Sequence, residues 1–257
     1  MYNKNNPPLM IGAKGGSGTR AISRITQSLG YNLGSDFNVS SDSMKMVPFI
    51  LKWHIKCQDL WFNNEVKTLN HNLFLQDWEK TLEGHMGKNV PELWGWKNPQ
   101  SINMLPFFHE LSPGLKFIQV IRDGRDIAFS KNQQELGTDN RGTAMNRWNK
   151  SINHLPEAKK SILYWQKINL EASTYAQNNL KNNYYLLKFE DLCKSPIEEI
   201  IKISNFLGIP SDDINFKKIS KLVSTSTSIG RYKQQPINLI SDLEELGKKG
   251  LEYFKYF

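Results

Sequence analysis

Four short apolar runs alternate with longer helical segments along this chain, and that alternation constrains the fold more than any other feature. Each run is rich in β-branched or aromatic residues and is followed by a polar or glycine-rich turn, as is typical of buried strands. The runs lie at residues 9–11, 93–96, 117–121 and 184–187. We therefore expect an α/β fold with three layers, α/β/α, around a central, mostly parallel sheet. Ligands in such folds bind beyond the carboxyl ends of the strands.

The clearest helix signal begins at Ser195. This serine can cap a helix, Pro196 suits the first helical position, and Glu198 completes a capping box. Gly208 marks the end of the helix. The pattern predicts a helix between Ser195 and Gly208 whose start is capped by the serine side chain.

Composition narrows the class of protein. The 257 residues contain no repeat, low-complexity tract or linker, so we expect a single domain over residues 1–257. The 39% hydrophobic fraction excludes intrinsic disorder. The net charge of +8 attracts phosphate groups, although a lysine- and asparagine-rich coding bias would produce the same excess. The basic residues are scattered rather than clustered with aromatic ones, so we do not expect nucleic acid as a partner.

Cysteine usage and hydropathy bear on the compartment. Cys57 and Cys193 are the two cysteines of the sequence, too few for a disulfide framework or a cysteine-based zinc site. No apolar run is long enough for a signal sequence or a membrane span. These features predict a cytoplasmic protein without a membrane span or a metal requirement.

The first run leads directly into a glycine-rich loop and then a helix. Backbone N–H groups in such a turn can surround an anion, and the helix dipole favours negative charge there. A Walker A loop ends in Gly-Lys-Ser/Thr, whereas this loop offers Gly18-Thr19-Arg20 and lacks that lysine. A dinucleotide fingerprint would need a second strand that the polar stretch 30–38 cannot form. A plain glycine-rich turn is a further alternative. The candidate phosphate-binding residues are Lys14, Gly15, Gly16, Ser17, Gly18, Thr19 and Arg20.

A second loop follows the third run. Arg122 stands at the end of the strand, and Ser130 follows eight residues later, which we expect to be about two turns along a helix. An arginine and a hydroxyl that converge from these elements would hold a second phosphate, distinct from the first.

With both loops in view, the sequence resembles the sulfotransferases that use 3′-phosphoadenosine 5′-phosphosulfate (PAPS). Four segments carry the resemblance in order: Ser17-Gly18-Thr19, Arg122-Asp123-Gly124-Arg125-Asp126 with Ser130, Phe189-Glu190-Asp191-Leu192, and Gly230-Arg231-Tyr232-Lys233. The resemblance implies a P-loop nucleotide-kinase-like fold, PAPS as donor and PAP as product. It further implies that Ser17-Gly18-Thr19 grip the 5′-phosphosulfate and Arg122 and Ser130 the 3′-phosphate, and that the last segment closes over the nucleotide.

The departures from the family pattern concern charge and stacking. Gly16 stands where many members carry a lysine, so Lys14 or Arg20 must supply that charge. Ala21 replaces a tryptophan that often follows the loop, so the adenine must stack elsewhere. A Lys-Thr-His segment of cytosolic members corresponds to Lys97-Asn98-Pro99, which keeps the lysine and loses the histidine.

Sulfuryl transfer needs charge stabilisation and a base. We assign Lys97 to the sulfonate and Arg20 or Lys14 to the leaving 5′-phosphate. No histidine is expected beside a strand end, and related bacterial enzymes often use a carboxylate, so Asp42 is the candidate base and Asp36 the second choice.

The acceptor itself is expected to be a small molecule or carbohydrate bearing a hydroxyl or amine. An aromatic cleft for a sugar or phenol is one interpretation of several tryptophans, and burial against helices is the other. These residues are Trp53, Trp61, Trp78, Trp94 and Trp96.

Two other functions compete with this interpretation. A P-loop small-molecule kinase would need ATP and magnesium, yet no Walker lysine or metal-binding pair is evident. A non-catalytic module that binds PAPS or PAP for regulation would explain the missing histidine and loop lysine.

Overall fold

Four parallel strands form the central sheet of the computed structural model, which describes residues 6–137, 152–212, 214–224 and 226–257. In chain order the strands are β1 (Leu9–Ala13), β2 (Gly95–Lys97), β3 (Lys116–Ile121) and β4 (Tyr184–Lys188). Their spatial order is β2-β1-β3-β4. Met10 pairs with Trp96 on one side and with Phe117 on the other, so the carboxyl ends of β1, β2 and β3 meet at one edge of the sheet.

Helices follow or connect these strands, and in the described residues the longest of them packs beside β3 and β4. In chain order they are α1 (Thr19–Ser28), α2 (Val47–Phe62), α3 (His71–Met86), α4 (Leu105–Leu111), α5 (Gly124–Ala128), α6 (Glu157–Asn179), α7 (Phe189–Lys194), α8 (Pro196–Leu207), α9 (Phe216–Ser220), α10 (Ile237–Leu246) and α11 (Lys248–Tyr253). No helix among the described residues is both long enough and apolar enough to cross a membrane.

Alternate residues of each strand enter separate hydrophobic clusters on the two faces of the sheet. On β1, Met10 joins a cluster with residues of α2, α3, α4 and α6, whereas Leu9 and Ile11 join a cluster with α1 and α8. On β3, Phe117 belongs to the first cluster and Ile118 to the second. Because both faces are covered, the strands read as continuous apolar runs. The three-layer α/β/α prediction is confirmed.

Two local predictions are wrong. Ser195 occupies the position before α8, but its side chain makes no capping hydrogen bond, because the residue closes α7 as well and its backbone is not in a capping conformation. The helix after β3 ends at Ala128, so Ser130 lies beyond it in a turn rather than two turns along a helix. Asp123 caps that short helix by accepting the N–H of Arg125 at 2.9 Å.

All five tryptophans singled out above are core residues. Trp53, Trp78, Trp94 and Trp96 are at most 3% exposed and belong to the cluster that joins the sheet to α2, α3 and α4. Trp61 is also nearly buried, at the edge of a separate surface groove beside Tyr175. Burial therefore accounts for these residues, and the aromatic cleft is not formed by them.

Candidate active site

The loop after β1, residues 14–18, has a backbone that requires glycine at two positions. Gly16 and Gly18 have φ angles of 90° and 89°, in the left-handed region that other residues rarely adopt. A Cβ on Gly18 would lie 2.3 Å from the ring of Phe189. The phenylalanine that opens α7 therefore packs directly on the loop, and α1 begins at Thr19 immediately after it. The Ser17 hydroxyl donates to the carbonyl of Lys14 at 2.6 Å, which closes the turn.

A cavity of about 470 Å³ opens beside this loop, and we name it the arginine cavity. Four arginines line it, and no aspartate or glutamate is among its described lining residues. Phe189, Leu222 and Val223 provide apolar surface, and a run of hydroxyl side chains faces the same space. The arginines are Arg20, Arg24, Arg122 and Arg231. The hydroxyl residues are Ser224, Ser226, Thr227 and Ser228.

Arg122 lines the arginine cavity and has one N–H donor without a hydrogen-bond partner among the described residues. Its side chain is 4% exposed, and one terminal nitrogen donates to Asp126 at 3.1 Å and to the carbonyl of Ser228. Its guanidinium lies 5.4 Å from the ring centre of Phe189. Its Nε is buried and has no hydrogen-bond partner among the described residues. A buried donor without an acceptor is costly, so this nitrogen indicates that a ligand atom belongs there.

Asp126 binds the backbone of residues 230–232 and so holds this segment beside the arginine cavity. Its carboxylate accepts the N–H groups of Gly230 at 2.8 Å and Tyr232 at 3.2 Å. Arg231 donates to the carbonyls of Ser228 at 3.1 Å and Phe129 at 3.0 Å, and its side chain lines the cavity. Burial lowers the pKa of Arg231 below its ordinary value, and neighbouring Arg122 lowers it further. The wall formed by residues 226–232 is thus fixed by named contacts.

Lys97 and Asp42 form a pair at the carboxyl end of β2. The Lys97 ammonium lies 2.5 Å from Asp42 Oδ1 and donates to the carbonyl of Ser40 at 2.9 Å. Lys97 is 1% exposed, whereas the Asp42 carboxylate keeps 17% of its surface open. Burial lowers the pKa of Lys97, Asp42 opposes that effect, and Arg20 adds to the lowering by repulsion. Arg20 is therefore electrostatically coupled to this pair.

Asp36, the second candidate base, lies apart from this pair. Its side chain is 52% exposed and stands 4.0 Å from the ammonium of Lys45. It lines neither cavity described in this section. Of the two aspartates, the geometry brings only Asp42 to Lys97.

Lys14 points away from the arginine cavity into a buried ion pair that the sequence did not indicate. Its ammonium lies 2.9 Å from Glu135 Oε2 and donates to Gln133 at 3.4 Å, and the side chain is fully buried. Glu135 also accepts the backbone N–H of Gly15 at 3.0 and 3.2 Å. The positive charge of Lys14 is therefore matched by a carboxylate, and Arg20 rather than Lys14 lines the arginine cavity.

A second, smaller cavity of about 180 Å³ lies on the other side of Gly15, and we name it the acidic pocket. Both Asp42 and Glu135 line it, and no lysine or arginine is among its described lining residues. Apolar surface comes from Met44, Val47, Leu51 and Pro99. The amide side chains on its wall are Asn38, Asn98, Gln100, Asn132 and Gln134.

Three predicted residues occupy peripheral positions. Ser130 lies against the loop, since a Cβ on Gly16 would come within 2.9 Å of its hydroxyl, but Ser130 is not among the described residues that line the arginine cavity. Tyr232 packs its ring 4.3 Å from the Arg125 guanidinium. Lys233 is exposed beside Tyr232 and does not line that cavity.

The expectation about histidines needs one correction. His85 is buried beside β2, where its Nε2 lies 2.9 Å from the carbonyl of Gly95 at the amino end of the strand. Burial lowers the pKa of His85 below 6.5. His54 is buried as well, on α2. No histidine appears among the described lining residues of either cavity.

Sequence reasoning missed Glu135 and Arg24. Arg24 follows Arg20 by four residues on α1, a spacing that places two side chains on one helix face, so this signal was available. Glu135 carries no local signal, because its partners Lys14 and Gly15 lie 120 residues away. In the part of the chain that the structure describes, no group of three or more His, Cys, Asp or Glu residues is arranged to hold a metal ion.

Comparison with known proteins identifies the class to which this fold and loop arrangement belong. The family described as "Sulfotransferase domain" matches residues 7–250. The chain belongs to the sulfotransferase family.

Relatives and solved structures agree with that assignment. A candidate protein-tyrosine sulfotransferase of Caenorhabditis elegans is 24% identical over 168 residues, which are 64% of this chain and 59% of the relative. Carbohydrate sulfotransferase 1 of Homo sapiens is 27% identical over 124 residues, 46% of this chain and 29% of the relative. The chain thus spans about three fifths of the length of the first relative and less than a third of the second.

Among solved structures, sulfotransferase STF9 from Mycobacterium avium aligns with a TM-score of 0.57 at 9% identity, over 98% of this chain and 77% of that one. Mouse sulfotransferase SULT7A1, solved in complex with PAP, aligns with a TM-score of 0.55 at 14% identity, over 98% and 90%. At these identities the likeness shows the fold.

Proposed function

We propose that the chain is a PAPS-dependent sulfotransferase that moves a sulfuryl group to a hydroxyl or amine of a small molecule or carbohydrate. One observation carries the proposal: the loop at residues 14–18 separates an arginine-lined cavity from a pocket that contains a carboxylate paired with a buried lysine. The arginine cavity suits an anionic nucleotide, and the acidic pocket suits an acceptor group that loses a proton. We also propose that residues 1–257 form one sulfotransferase domain, which the family match over residues 7–250 supports.

The arginine cavity fits a 3′,5′-bisphosphate nucleotide. The unpaired Nε of Arg122 offers a buried donor, and Arg231 with Ser226–Ser228 adds positive charge and hydroxyls around it. On the other side, the N–H groups of residues 16–19, which lead into α1, together with Arg20, suit the 5′ end. Phe189, Leu222 and Val223 offer the apolar surface that the adenine ring needs, in place of the tryptophan that is missing at Ala21. We therefore assign the donor to this cavity.

Bound PAPS would supply a sulfuryl group attached to a phosphate that leaves readily. This chain's own residues then have two tasks. Lys97 and Arg20 hold positive charge where charge builds up on the transferred group and on the leaving oxygen, and fixed charges in a buried site stabilise such a transition state well. Asp42, which keeps part of its carboxylate open to the acidic pocket, takes the proton of the acceptor hydroxyl.

Ligand titration followed by thermal unfolding tests the donor assignment. A ligand that binds only the folded protein raises the melting temperature by mass action. We expect PAP to raise the melting temperature more than ATP with magnesium or NAD at the same concentration. A larger shift with ATP and magnesium would favour a kinase and contradict the proposal. Tight PAP binding without transfer to any acceptor in a screen of sugars, alcohols, amines and phenols would favour a regulatory module.

The role of Asp42 has a sharper test. D42N should leave PAP affinity within about twofold, lower the single-turnover rate, and lose less rate as the pH rises, because the acceptor then ionises without help. D36N removes the same charge from the same loop outside both cavities and serves as the matched control. A rate loss in D36N but not in D42N would move the base to Asp36.

Two remaining expectations belong to the same proposal. Cytoplasmic location is supported by the two cysteines, Cys57 and Cys193, which are both free thiols. Independence from metal is tested by transfer in the presence of EDTA, where we expect the full rate. The carbohydrate sulfotransferases among the relatives support a sugar as one acceptor to screen.

A further inference from the structure

Arg24 lines the arginine cavity from the second turn of α1. Its side chain is exposed and makes no hydrogen bond, ion pair or ring contact with the residues that the structure describes. Side chains of a helix lean toward its amino end, so a residue covers the surface of the turn before it. The Arg24 guanidinium is therefore available to reach back over Ala21, which lies three residues earlier on the same face of the helix.

The other three arginines of the cavity lie where two separate phosphates would bind. Arg122 and Arg231 donate to one and the same carbonyl, which places them together at one end of the cavity. Arg20 directly follows the loop and repels the ammonium of Lys97, so it lies toward the other end. Arg24 belongs to neither group, because it stands about 6 Å farther along α1 than Arg20. A ligand with two phosphates therefore leaves this fourth cation without a phosphate partner.

The wall of the arginine cavity next to Arg24 is apolar. Ala21, Leu222 and Val223 line the cavity and are half-buried against the hydrophobic cluster that α1 and α8 share. Phe189 lines it as well but is only 8% exposed, because its ring packs on the glycine-rich loop and beside a guanidinium. Phe189 thus offers little open ring surface. A flat base that rests on this wall has one apolar face, and Arg24 is the planar group available for the other face.

We infer that the guanidinium of Arg24 stacks on the adenine of the bound nucleotide and contributes affinity through the base rather than through a phosphate. This inference rests on the proposed sulfotransferase function, which assigns PAPS to this cavity. A guanidinium is planar and weakly hydrated and stacks on aromatic faces, whereas the ammonium of a lysine is compact and strongly hydrated. Arg24 is accordingly a binding residue that helps to select a nucleotide over a sugar bisphosphate without a base.

Three ligands test this contact by calorimetry at high salt, which suppresses long-range attraction between charges. They are PAP, adenosine 5′-monophosphate (AMP), which lacks the 3′-phosphate, and ribose 3,5-bisphosphate, which lacks the base. An exposed contact between a cation and a ring contributes about two- to fivefold in affinity, so R24A should weaken PAP and AMP by that same factor. R24A should leave the affinity for ribose 3,5-bisphosphate unchanged. A loss for ribose 3,5-bisphosphate as large as the loss for PAP would assign Arg24 to a phosphate and overturn the inference.

Further variants separate the planar contact from the charge. R24W supplies a flat ring without charge and should bind PAP and AMP at least as tightly as the wild-type protein, because bases stack well on aromatic side chains. R24K keeps the charge without the planar group and should bind both ligands more weakly than the wild-type protein. The control K221A removes an exposed charge next to Leu222 that is not among the described lining residues of the cavity, and it should leave all three affinities unchanged.

The outcomes separate this inference from the function on which it rests. If PAP does not bind the wild-type protein, the proposed function fails and the inference falls with it. If PAP binds and R24A leaves its affinity unchanged, or if R24K restores binding and R24W does not, the function stands and the stacking role is overturned. Because Arg24 is exposed, we expect the same melting temperature for all variants without ligand, so that a change in affinity is not a folding defect.

Discussion

The two cavities beside the loop at residues 14–18 differ in charge as sharply as neighbouring cavities can. Among the described residues, the arginine cavity is lined by four arginines and no carboxylate, whereas the acidic pocket is lined by two carboxylates and no cationic side chain. The same glycine-rich turn forms part of both walls. The difference teaches that one short loop can border two cavities of opposite charge, because each cavity has its own electrostatic surroundings.

The two cavities also differ in how their charges are held. Arg20 and Arg24 are exposed at the mouth of the arginine cavity, while Arg122 is buried with an unpaired nitrogen. The lysines of the acidic pocket are fully buried and paired. Positive charge is thus partly exposed in the arginine cavity and buried beside carboxylates at the acidic pocket.

The largest effect should come from Lys97. K97A removes a buried charge. We propose that this charge acts on the transferred group, and loss of one fixed donor of that kind lowers the rate by about 10²- to 10³-fold. PAP affinity should change little, because Lys97 does not line the arginine cavity. Single-turnover transfer and PAP titration measure the two quantities separately. If PAP binding weakens as much as the rate falls, the division between the two cavities is wrong.

A smaller effect is expected at Arg122. Loss of a charge-assisted contact costs about 1.5–3 kcal/mol, so R122A should weaken PAP about 10- to 150-fold. Adenosine 5′-phosphosulfate has no 3′-phosphate and should lose much less affinity. The conservative R122K keeps the charge and guards against a folding defect. Equal losses of affinity for the two ligands would show that Arg122 does not bind the 3′-phosphate.

A third prediction distinguishes Arg20 from Lys14 as the source of positive charge at the 5′-phosphate. Arg20 is exposed, so R20A should weaken PAP by about two- to fivefold, within the range of solvent-exposed charge contacts. K14M/E135Q removes a pair that lies outside the arginine cavity and should leave PAP affinity unchanged. Calorimetric titration of both variants gives the answer. A greater loss of PAP affinity in K14M/E135Q than in R20A would indicate that Lys14, rather than Arg20, supplies the positive charge at the 5′-phosphate.

The last effect is on stability rather than on affinity or rate, and it concerns the support of the acidic pocket. His85 contacts both Gly95 of β2 and Gly34, in the loop that leads to Asp42. Its pKa is lowered by burial, so below about pH 6.5 the unfolded chain binds a proton that the folded chain resists. Stability should therefore fall as the pH decreases from 7 to 5, by at most about 1.4 kcal/mol per pH unit. Urea unfolding at each pH should show a shallower decrease in H85Q. Parallel curves for the two proteins would contradict this.

The sequence predicted most of the residues around the arginine cavity and few of those around the acidic pocket. All four strands were located, with their ends misplaced by one or two residues. The loop residues and Arg122 directly follow strands, and neighbouring parallel strands bring their carboxyl ends together whatever the connections do. That rule was enough to place Arg122, Arg20 and Gly18 around one cavity.

The acidic pocket depends on contacts between distant parts of the chain, which no local sequence pattern predicts. Asp42 and Lys97 were assigned separate roles with no contact predicted between them, and the structure pairs them. Glu135 could not be found in this way, since its position depends on a short segment folding back onto Gly15. Ser130 was misplaced because a capping aspartate and a helical pattern do not determine where so short a helix ends.

The sheet order has a consequence for how such a chain can diverge. With β1 between β2 and β3, the stretch from residue 25 to residue 121 supplies eight of the twelve described lining residues of the acidic pocket and none of those of the arginine cavity. Selection can rework this continuous stretch for a new acceptor while the inherited donor machinery stays intact. A chimera that exchanges residues 25–121 between two family members should therefore exchange acceptor preference and keep the parent's nucleotide affinity.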